Sequence, residues 1–477
     1  MLPIHHSVLL LTICLLVSTC ANSDTVSRQE RPNIVLIVAD DMGWADPAYM
    51  GNTLYQTPHL DRLSKTCVNF TQAYAGASNC APSRSAMLSG LWSQRTGVYT
   101  VSPSARGDKR HRRLVPIVNT PFPPDSLELL PQFLQRQGYR TGNFGKYHIG
   151  EDPLARGFDR NVAGSKWGYP KGGYFSPFPM PNIKDGPEGQ YLTDRLGDEA
   201  VRFIQEESGQ GSFFLYLPFY SVHTPIQAPD SMVQRYIGRP GITGKEHATY
   251  AAMMEALDRN VGKVLAELAA RRLEENTIII FTSDNGGVDK ISDQYPLRAG
   301  KGAYYEGGTR VPLLIGWPGT ISPRVDETPV INLDFYPTLA SLTDLEAPAQ
   351  PLDGTNLSEL LLNQKPLASR NLYWHFPIYL EAYRKNGAES RDPLFRTRPG
   401  SSMLAGKWKL HEYFEDGGIE LYDLSTDRGE QNDLSDVFPG VRDSLRAALQ
   451  SWRQTTDAPV PTVLNPHFDP ELPAAGS

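Results

Sequence analysis

Runs of apolar residues, each followed by polar side chains, mark the predicted strands of this chain. Continuous apolar segments lie within "NIVLIVADD" (33–41), "SFFLYLPFYSVHTP" (212–225) and "NTIIIFTSDNG" (276–286), and "YRTGNFGKYHIG" (139–150) is a shorter candidate. A continuous apolar run is typical of a strand that is buried on both faces of a parallel sheet. The pattern therefore predicts a large, mostly parallel sheet at the centre of the fold.

Helical spacing between these runs predicts the helices that cover the sheet. A long helix from about 247 to 275 has an apolar stripe formed by Met254, Leu257, Val261, Val264 and Leu268. The same spacing recurs after Asp194 in Leu196, Ala200 and Phe203. Strands that alternate with helices predict an α/β fold, a large mixed and mostly parallel sheet flanked by helices.

The C-terminal part has a different pattern. "GKWKLHEYFEDGGIELYDL" (406–424) predicts two strands joined at Asp416-Gly417-Gly418, and "FPGVRDSLRAALQSWRQ" (438–454) predicts a helix packed on them. With a break near 366–370, we expect a main domain over 25–368 and a smaller C-terminal α+β subdomain over 369–477.

The N-terminus predicts export. The apolar run from Val8 to Val17 is shorter than the roughly 20 residues of a membrane span, and small residues follow it. We expect residues 1–24 to be a cleaved signal peptide and the protein to be periplasmic or secreted. "LVSTC" faintly resembles a bacterial lipoprotein box, so membrane attachment is expected only if Cys20 is lipidated.

Overall charge excludes two classes of partner. The 477 residues have a formal net charge of −7, whereas general nucleic-acid and membrane-surface binders are normally basic. An anionic ligand must therefore be held by local cations.

Polar residues at the predicted strand ends are the candidate site. Asp40 and Asp41 end one buried run, and Asp284 and Asn285 end another. Ligands of open α/β sheets bind beyond the carboxyl ends of the strands, and a set of oxygen donors favours a hard cation such as Ca²⁺ or Mg²⁺. The alternative is that these residues only form turns and helix caps.

Cationic and titratable groups accompany these carboxylates. They are Arg84, Lys146, Lys301, His148 and His223. Lysine and arginine can hold an anion, and histidine transfers protons near neutral pH. Together with a metal, the set predicts hydrolysis at an anionic centre.

Cys80, in "SNCAPSRSAMLSG" (78–90), has two interpretations. If the signal peptide is removed, the mature chain keeps only Cys67 and Cys80. An oxidising compartment favours a disulfide between them, which would close a loop of about a dozen residues. The other interpretation is that the thiol serves chemistry.

Cys80 begins a segment that resembles the signature of the sulfatase family. "CAPSR" followed by "SAMLSG" matches the family's Cys-x-Pro-Ser-Arg pattern. "ADDMG", "GKYHIG", "HTP", "SDNGG", "LRAGKGAYYEGGTRVPLLIGWPG" and "LYDLSTDRGEQNDL" follow the family's order, so the resemblance extends from Asn33 to about Leu434. It implies an alkaline-phosphatase-like fold and a sulfuric ester hydrolase.

The resemblance also implies a role for each site residue. Cys80 would be oxidised by a maturation enzyme to formylglycine, whose hydrate attacks sulfur. One Ca²⁺ would be bound by Asp40, Asp41, Cys80, Asp284 and Asn285. Arg84 would orient the hydrate, and Lys146 and Lys301 would hold sulfate oxygens. His223 would protonate the leaving oxygen and His148 would accept the proton of the second hydroxyl, although these two roles are interchangeable.

Two other functions remain open at this stage. One is a phosphomonoester or phosphonate hydrolase of the same superfamily, and the other is a carbohydrate-binding protein on an inactive sulfatase scaffold. The segments "GSKWGYP", "NLYWHFP" and "PLFRTRPGSSMLAGKWKL" resemble bacterial polysaccharide sulfatases. They imply a sulfated carbohydrate substrate, with galactose or N-acetylgalactosamine sulfate favoured.

Candidate substrate contacts form two groups. Aromatic rings that could stack on sugars, or simply belong to the core, are Trp167, Tyr169, Trp374 and Tyr379. Cationic and polar candidates are the basic run "RGDKRHRR" (106–113), His375, Arg396 and Arg398. The basic run is either a clamp for a polyanion or a solvated loop.

Overall fold

The computed structural model describes residues 31–346, 348–383 and 391–472. The predicted signal peptide over 1–24, including Cys20, lies outside the described residues. Among the residues described, no helix has both the length and the apolar character that crossing a bilayer requires.

The strands of the described residues lie mainly in two sheets. They are β1 (Asn33–Ala39), β2 (Val68–Tyr74), β3 (Arg140–Phe144), β4 (Arg160–Val162), β5 (Phe213–Pro218), β6 (Thr277–Ser283), β7 (Arg310–Gly316), β8 (Arg324–Asp326), β9 (Val330–Ile331), β10 (Asn371–Phe376), β11 (Leu380–Glu381), β12 (Phe395–Thr397), β13 (Gly400–Ala405), β14 (Trp408–Tyr413) and β15 (Ile419–Asp423).

The α-helices flank these sheets. They are α1 (Pro58–Ser64), α2 (Cys80–Ser89), α3 (Ser93–Thr96), α4 (Leu130–Arg136), α5 (Leu192–Glu207), α6 (Asp230–Val233), α7 (Lys245–Ala270), α8 (Glu306–Thr309), α9 (Phe335–Leu342), α10 (Ser358–Asn363) and α11 (Pro439–Thr455).

The large sheet confirms the predicted α/β class. Its strand order is β4-β3-β5-β1-β6-β7-β2-β8, with β9 beside β2. Central strand β1 is parallel to β5 and β6, and Val35 lies opposite Leu215 on one side and Ile279 on the other. Strand β7 is antiparallel to both β6 and β2. The sheet is therefore mixed and mostly parallel, as predicted.

Helices cover both faces of β1, which explains its continuous apolar run. Val35 and Ile37 belong to one core cluster with the stripes of α5 and α7, and Ile34 and Leu36 belong to another with α4 and α9. Alternate strand residues point to opposite faces. Helix α7 ends at Ala270, earlier than the predicted limit near residue 275, and the chain turns at Arg272, whose φ is +58°.

The second sheet confirms the predicted C-terminal hairpin. Its strands are antiparallel in the order β10-β13-β14-β15, and β14 and β15 flank the Asp416-Gly417-Gly418 turn. Helix α11 packs on this sheet through Trp452, whose ring stacks on Tyr373 with centroids 4.5 Å apart. Arg453 and Arg446 of the helix bind Glu412 of β14. The helix is thus fixed by both stacking and ion pairs.

A buried ionic cluster joins the two sheets. The ammonium of Lys409 on β14 lies 2.7 Å from Glu306 of α8 and 3.6 Å from Glu430. Glu306 also pairs with Arg310 at the start of β7, at 3.1 Å. All four side chains are almost inaccessible to solvent. Removing one partner would leave a buried charge uncompensated.

We expect Lys409→Met to destabilise the protein by about 3–5 kcal/mol, because it leaves two buried carboxylates short of a cation. Urea unfolding would measure the loss as a lower midpoint concentration. Lys407→Met is the matched control, since Lys407 is half-exposed and pairs with Asp423, a contact worth less than about 1 kcal/mol. Equal midpoints for the two variants would contradict the prediction.

Candidate functional site

The predicted site residues converge at the carboxyl end of the central strands. Asp40 and Asp41 follow β1, Asp284 follows β6, and Cys80 is the first residue of α2. One ligand atom from each of these four buried residues lies within 4.8 Å of the others. Asn285 follows Asp284 and donates from its amide to Asp41 at 2.8 Å.

Local backbone geometry places these side chains. Asp41 takes the left-handed conformation, with a φ of +62°, and its backbone N–H donates to Asp284 at 3.2 Å. Helix α2 begins after the extended residue Asn79 and ends at Gly90, where φ is +68°. Cys80 therefore lies at a helix N-terminus, where free N–H groups and the helix dipole favour negative charge.

Each carboxylate of the cluster has a cationic partner. The ammonium of Lys146 lies 2.7 Å from Asp40, and that of Lys301 lies 2.7 Å from Asp41. The Nε of Arg84 lies 2.8 Å from Asp284. Arg84 also donates to the backbone carbonyl of Lys146 at 2.7 Å, which ties α2 to the segment after β3.

The donor set fits a hard cation. The Sγ of Cys80 lies 3.6 Å from an oxygen of Asp40 and 3.8 Å from one of Asp41. The amide oxygen of Asn285 is buried and has no hydrogen-bond partner in the described part of the chain. Oxygen ligands of this kind suit Ca²⁺. Asp40, Asp41, Asp284 and Asn285 could therefore hold such an ion beside residue 80.

Burial and neighbouring charges shift the protonation of this cluster. Burial outweighs the ammonium of Lys146 and raises the pKa of Asp40 to about 7. Burial also acts on Asp41, but Lys301, His223 and Lys146 together lower its pKa below the usual carboxyl range. Burial raises the pKa of the Cys80 thiol to about 12, so this cysteine is a neutral thiol rather than a thiolate nucleophile.

Two histidines flank the cluster. The Nε2 of His223 lies 3.7 Å from Asp41, and 17% of the His223 side chain is exposed. His148 is buried, and its ring lies against Gly168, where a Cβ would come within 2.4 Å of it. Burial and the ammonium of Lys301 lower the pKa of His223 to about 3, and burial with Lys146 lowers that of His148 well below its ordinary value. Both rings are therefore neutral.

An open cavity of about 420 Å³ lies above Cys80. His148, His223 and Lys301 line it near the cluster. Its walls carry the aromatic rings Trp167, Tyr169 and Tyr383 and the cations Arg106, Lys166 and Arg396. The cavity therefore combines a buried polar floor with walls suited to an anionic sugar.

Some predicted substrate contacts lie elsewhere. Trp374 and Tyr379 are buried in the core. The prediction for His375 is wrong, because this buried ring bonds Ser401 and the backbone carbonyl of Pro459. Arg398 is held by Asp392 and Glu415 and does not line the cavity.

The basic run 106–113 reaches the cavity only at its first residue. Only Arg106 of this run lines it. Arg110 pairs with Asp108, and Arg112 donates to backbone carbonyls within the same loop. His111 and Arg113 line a separate surface cavity, so the choice between a polyanion clamp and a solvated loop stays open for the rest of the run.

The lining residues that sequence reasoning missed include Asn79, Lys166 and Tyr383. Asn79 donates to Thr100 at 3.0 Å and lines the cavity beside Cys80. Its position next to the Cys-x-Pro-Ser-Arg motif was the available signal. Tyr383 belongs to no motif, and only the fold brings it to the cavity.

The disulfide alternative is wrong. Cys67 and Cys80 are both buried free thiols. The thiol at position 80 is therefore available for chemistry.

Comparison with known families identifies two matching regions. Residues 32–345 match the family described as Sulfatase. Residues 300–455 match the family described as N-sulphoglucosamine sulphohydrolase, C-terminal. Together they span nearly all of the described chain.

Individual relatives agree with these families. A sulfatase of Formosa agariphila is 32% identical, over 90% of this chain and 90% of its own length. Human N-acetylgalactosamine-6-sulfatase is 30% identical, over 72% of this chain and 68% of its own length. The crystal structure of Ps i-CgsB in complex with k-i-k-neocarrahexaose is 30% identical, with a TM-score of 0.73, and covers 89% of this chain and 93% of its own.

Proposed function

This chain belongs to the sulfatase family and is a sulfuric ester hydrolase, and we propose that it removes sulfate from a galactose or N-acetylgalactosamine unit of a sulfated polysaccharide or oligosaccharide. We propose further that Cys80, converted to formylglycine by a maturation enzyme, provides the nucleophile. Ca²⁺ bound by Asp40, Asp41, Asp284, Asn285 and residue 80 is the proposed cofactor.

One observation carries this proposal. Cys80 lies where a helix N-terminus, three carboxylates and the ammonium of Lys301 meet at the floor of an open cavity. A neutral buried thiol is a poor nucleophile. The position is therefore better used by an oxygen nucleophile derived from that cysteine, with cations beside it for the sulfate.

The residues divide the chemistry as follows. Bound Ca²⁺ would lower the pKa of a formylglycine hydroxyl and offset sulfate charge. That hydroxyl gives its proton to the carboxylate of Asp284 and attacks sulfur, forming one S–O bond while the ester S–O bond breaks. His223, the more accessible histidine, is the proposed donor to the departing sugar oxygen. Its ring is neutral in the free enzyme, so it must first take up a proton, which the negative charge of the bound sulfate favours. Arg84 donates to Asp284 and to the backbone carbonyl of Lys146. It therefore fixes the positions of the nucleophile and of Lys146 relative to each other.

The second half of the reaction restores the enzyme. His148 lines the cavity and is neutral, so it can accept the proton of the second hydroxyl. When the second hydroxyl loses its proton, its oxygen forms the carbonyl of the aldehyde. The carbon–oxygen bond to the sulfate group breaks, and sulfate leaves. Lys146 and Lys301 hold the sulfate oxygens during both steps.

The substrate class rests on the relatives and the cavity. The human relative is an N-acetylgalactosamine-6-sulfatase, and the Ps i-CgsB structure is a complex with k-i-k-neocarrahexaose. The rings of Trp167 and Tyr169 line the cavity of this chain, and aromatic rings can stack on sugar faces. We propose export through the signal peptide at 1–24, a catalytic domain over 25–368 and a C-terminal subdomain over 369–477.

We expect the purified protein to hydrolyse a small aryl sulfate at least about 100-fold faster, in kcat/KM, than the matching aryl phosphate. Sulfated galactose and N-acetylgalactosamine saccharides are tested in parallel by sulfate release. A preference for the phosphate would support the phosphohydrolase alternative. Saccharide binding by calorimetry without turnover of any ester would support the inactive carbohydrate-binding alternative.

A further inference from the structure

The cations that line the cavity differ in how their charge is balanced. Three of them have a carboxylate partner. The pairs are Arg106 with Glu381 at 2.7 Å, Lys166 with Glu151 at 3.1 Å, and Lys301 with Asp41 at 2.7 Å. Arg396 also lines the cavity, yet it forms no ion pair with a described residue. Arg396 therefore has no carboxylate partner of its own in the described parts of the chain. Against the effect of burial, its charge does help to lower the pKa of Glu381, which is already paired with Arg106.

Neutral contacts hold the guanidinium of Arg396. Its Nε donates to the backbone carbonyl of Glu381 and its Nη1 to that of Lys301, each at 2.9 Å. Its Cζ lies 3.5 Å from the ring centroid of Tyr383. The guanidinium has five N–H donors, and its Nη2 donates to no group in the described parts of the chain. The side chain is therefore held in place before a ligand binds, and it keeps N–H donors for that ligand.

The backbone at Gly302 leaves room for this arrangement. Gly302 has a φ of +90°, and a Cβ at this position would lie 2.7 Å from the Nη1 of Arg396. Any larger residue would displace the guanidinium. Lys301 directs its ammonium to Asp41 at the floor, whereas Arg396 is bound to the backbone of Lys301. The two cations therefore occupy separate positions in the cavity.

We propose that Arg396 binds a second anionic group of the substrate, a carboxylate or a sulfate next to the sulfate ester that is cleaved. This inference rests on the proposed function and narrows its substrate class to saccharides with at least two anionic groups. A carboxylate or sulfate can accept two parallel N–H bonds from a guanidinium, and such charge-assisted bonds are stronger than neutral ones. Arg396 is a binding residue for specificity and takes no part in bond cleavage.

The test compares substrates that differ only in the second anion. One pair is a disaccharide of uronic acid and sulfated N-acetylgalactosamine, with its carboxylate intact or reduced to the alcohol. The other pair is a galactose disaccharide with two sulfates or one. We expect the wild type to prefer the dianionic member of at least one pair, and Arg396→Gln to reduce that preference in kcat/KM by about 10- to 100-fold. The substrate pair whose preference falls in Arg396→Gln shows whether the second anion is a carboxylate or a sulfate.

Two further variants sharpen the result. Arg396→Lys keeps the charge but loses the planar fork, so its preference should fall between those of the wild type and Arg396→Gln. Lys109→Gln removes one positive charge from an exposed residue outside the cavity and should leave the preference unchanged. Calorimetric binding of both pairs to Cys80→Ala protein gives a readout that does not depend on turnover.

Two outcomes would overturn the inference. An unchanged preference in Arg396→Gln, in turnover and in binding, would show that Arg396 recognises no second anion. An equal loss on both members of each pair and on a small aryl sulfate would assign Arg396 to the cleaved sulfate instead. Failure of the proposed function has a different signature, because the wild type would then release no sulfate from either member of any pair.

Discussion

We expect Cys80→Ala to lower kcat on every sulfate ester by at least about 10⁴-fold, because it removes the precursor of the nucleophile. The loss should be the same for small aryl sulfates and for saccharides, since both depend on the same reacting atom. Activity assays and mass spectrometry of the peptide that contains residue 80 would measure it. In active wild-type protein, that peptide should carry the aldehyde.

The fold should survive this change. The Cys80 side chain is small, and its Sγ contacts are with Asp40 and Asp41, which have ion pairs of their own. A thermal midpoint within a few degrees of the wild type would separate lost chemistry from lost structure. Fully active wild-type protein in which residue 80 is entirely unmodified cysteine would refute the nucleophile assignment.

The second large effect concerns the carboxylate cluster. We expect Asp284→Asn to weaken Ca²⁺ binding by at least about 100-fold and to lower kcat by about 10³-fold. The substitution removes a charged oxygen ligand and also leaves Arg84 without its closest carboxylate, 2.8 Å away. Titration calorimetry with Ca²⁺ alone measures the first effect, and aryl sulfate turnover in excess Ca²⁺ measures the second.

Asp258→Asn controls for general destabilisation. Asp258 is almost as buried, accepts the backbone N–H groups of His59 and Leu60 at the start of α1, and does not belong to the cluster. This variant should lose stability but keep Ca²⁺ affinity and turnover. Full activity of wild-type protein after exhaustive chelation, with no metal found by elemental analysis, would contradict the metal assignment.

The sequence pattern predicted the centre of the fold better than its edges. Strands β1, β5 and β6 are long apolar runs, and their burial on both faces makes them recognisable from sequence alone. Strands β4, β8 and β9 have two or three residues each, too few to show a period. Their existence depends on neighbours that are distant in the chain.

The floor of the site was predictable because each of its residues follows a strand or begins a helix. Asp40, Asp284 and Cys80 meet there because β1 and β6 are neighbours in the sheet and α2 begins beside their carboxyl ends. The cavity wall was harder to predict. His375 and Arg396 are 21 positions apart and both looked like substrate contacts, yet one is a core histidine and the other lines the cavity. The two side chains point in different directions in the fold, and no local sequence pattern predicts those directions.

The burial of Cys80 has a consequence for the biosynthesis of the enzyme. Only 1% of this residue is accessible in the folded chain, and its thiol lies among side chains at the ends of β1 and β6. Under the proposed formylglycine mechanism, a maturation enzyme would have to reach that thiol with its own active site, so oxidation of Cys80 would have to precede the closure of the sheet around it. Chains that fold first would be permanently inactive, and the fraction of active enzyme would be set during synthesis.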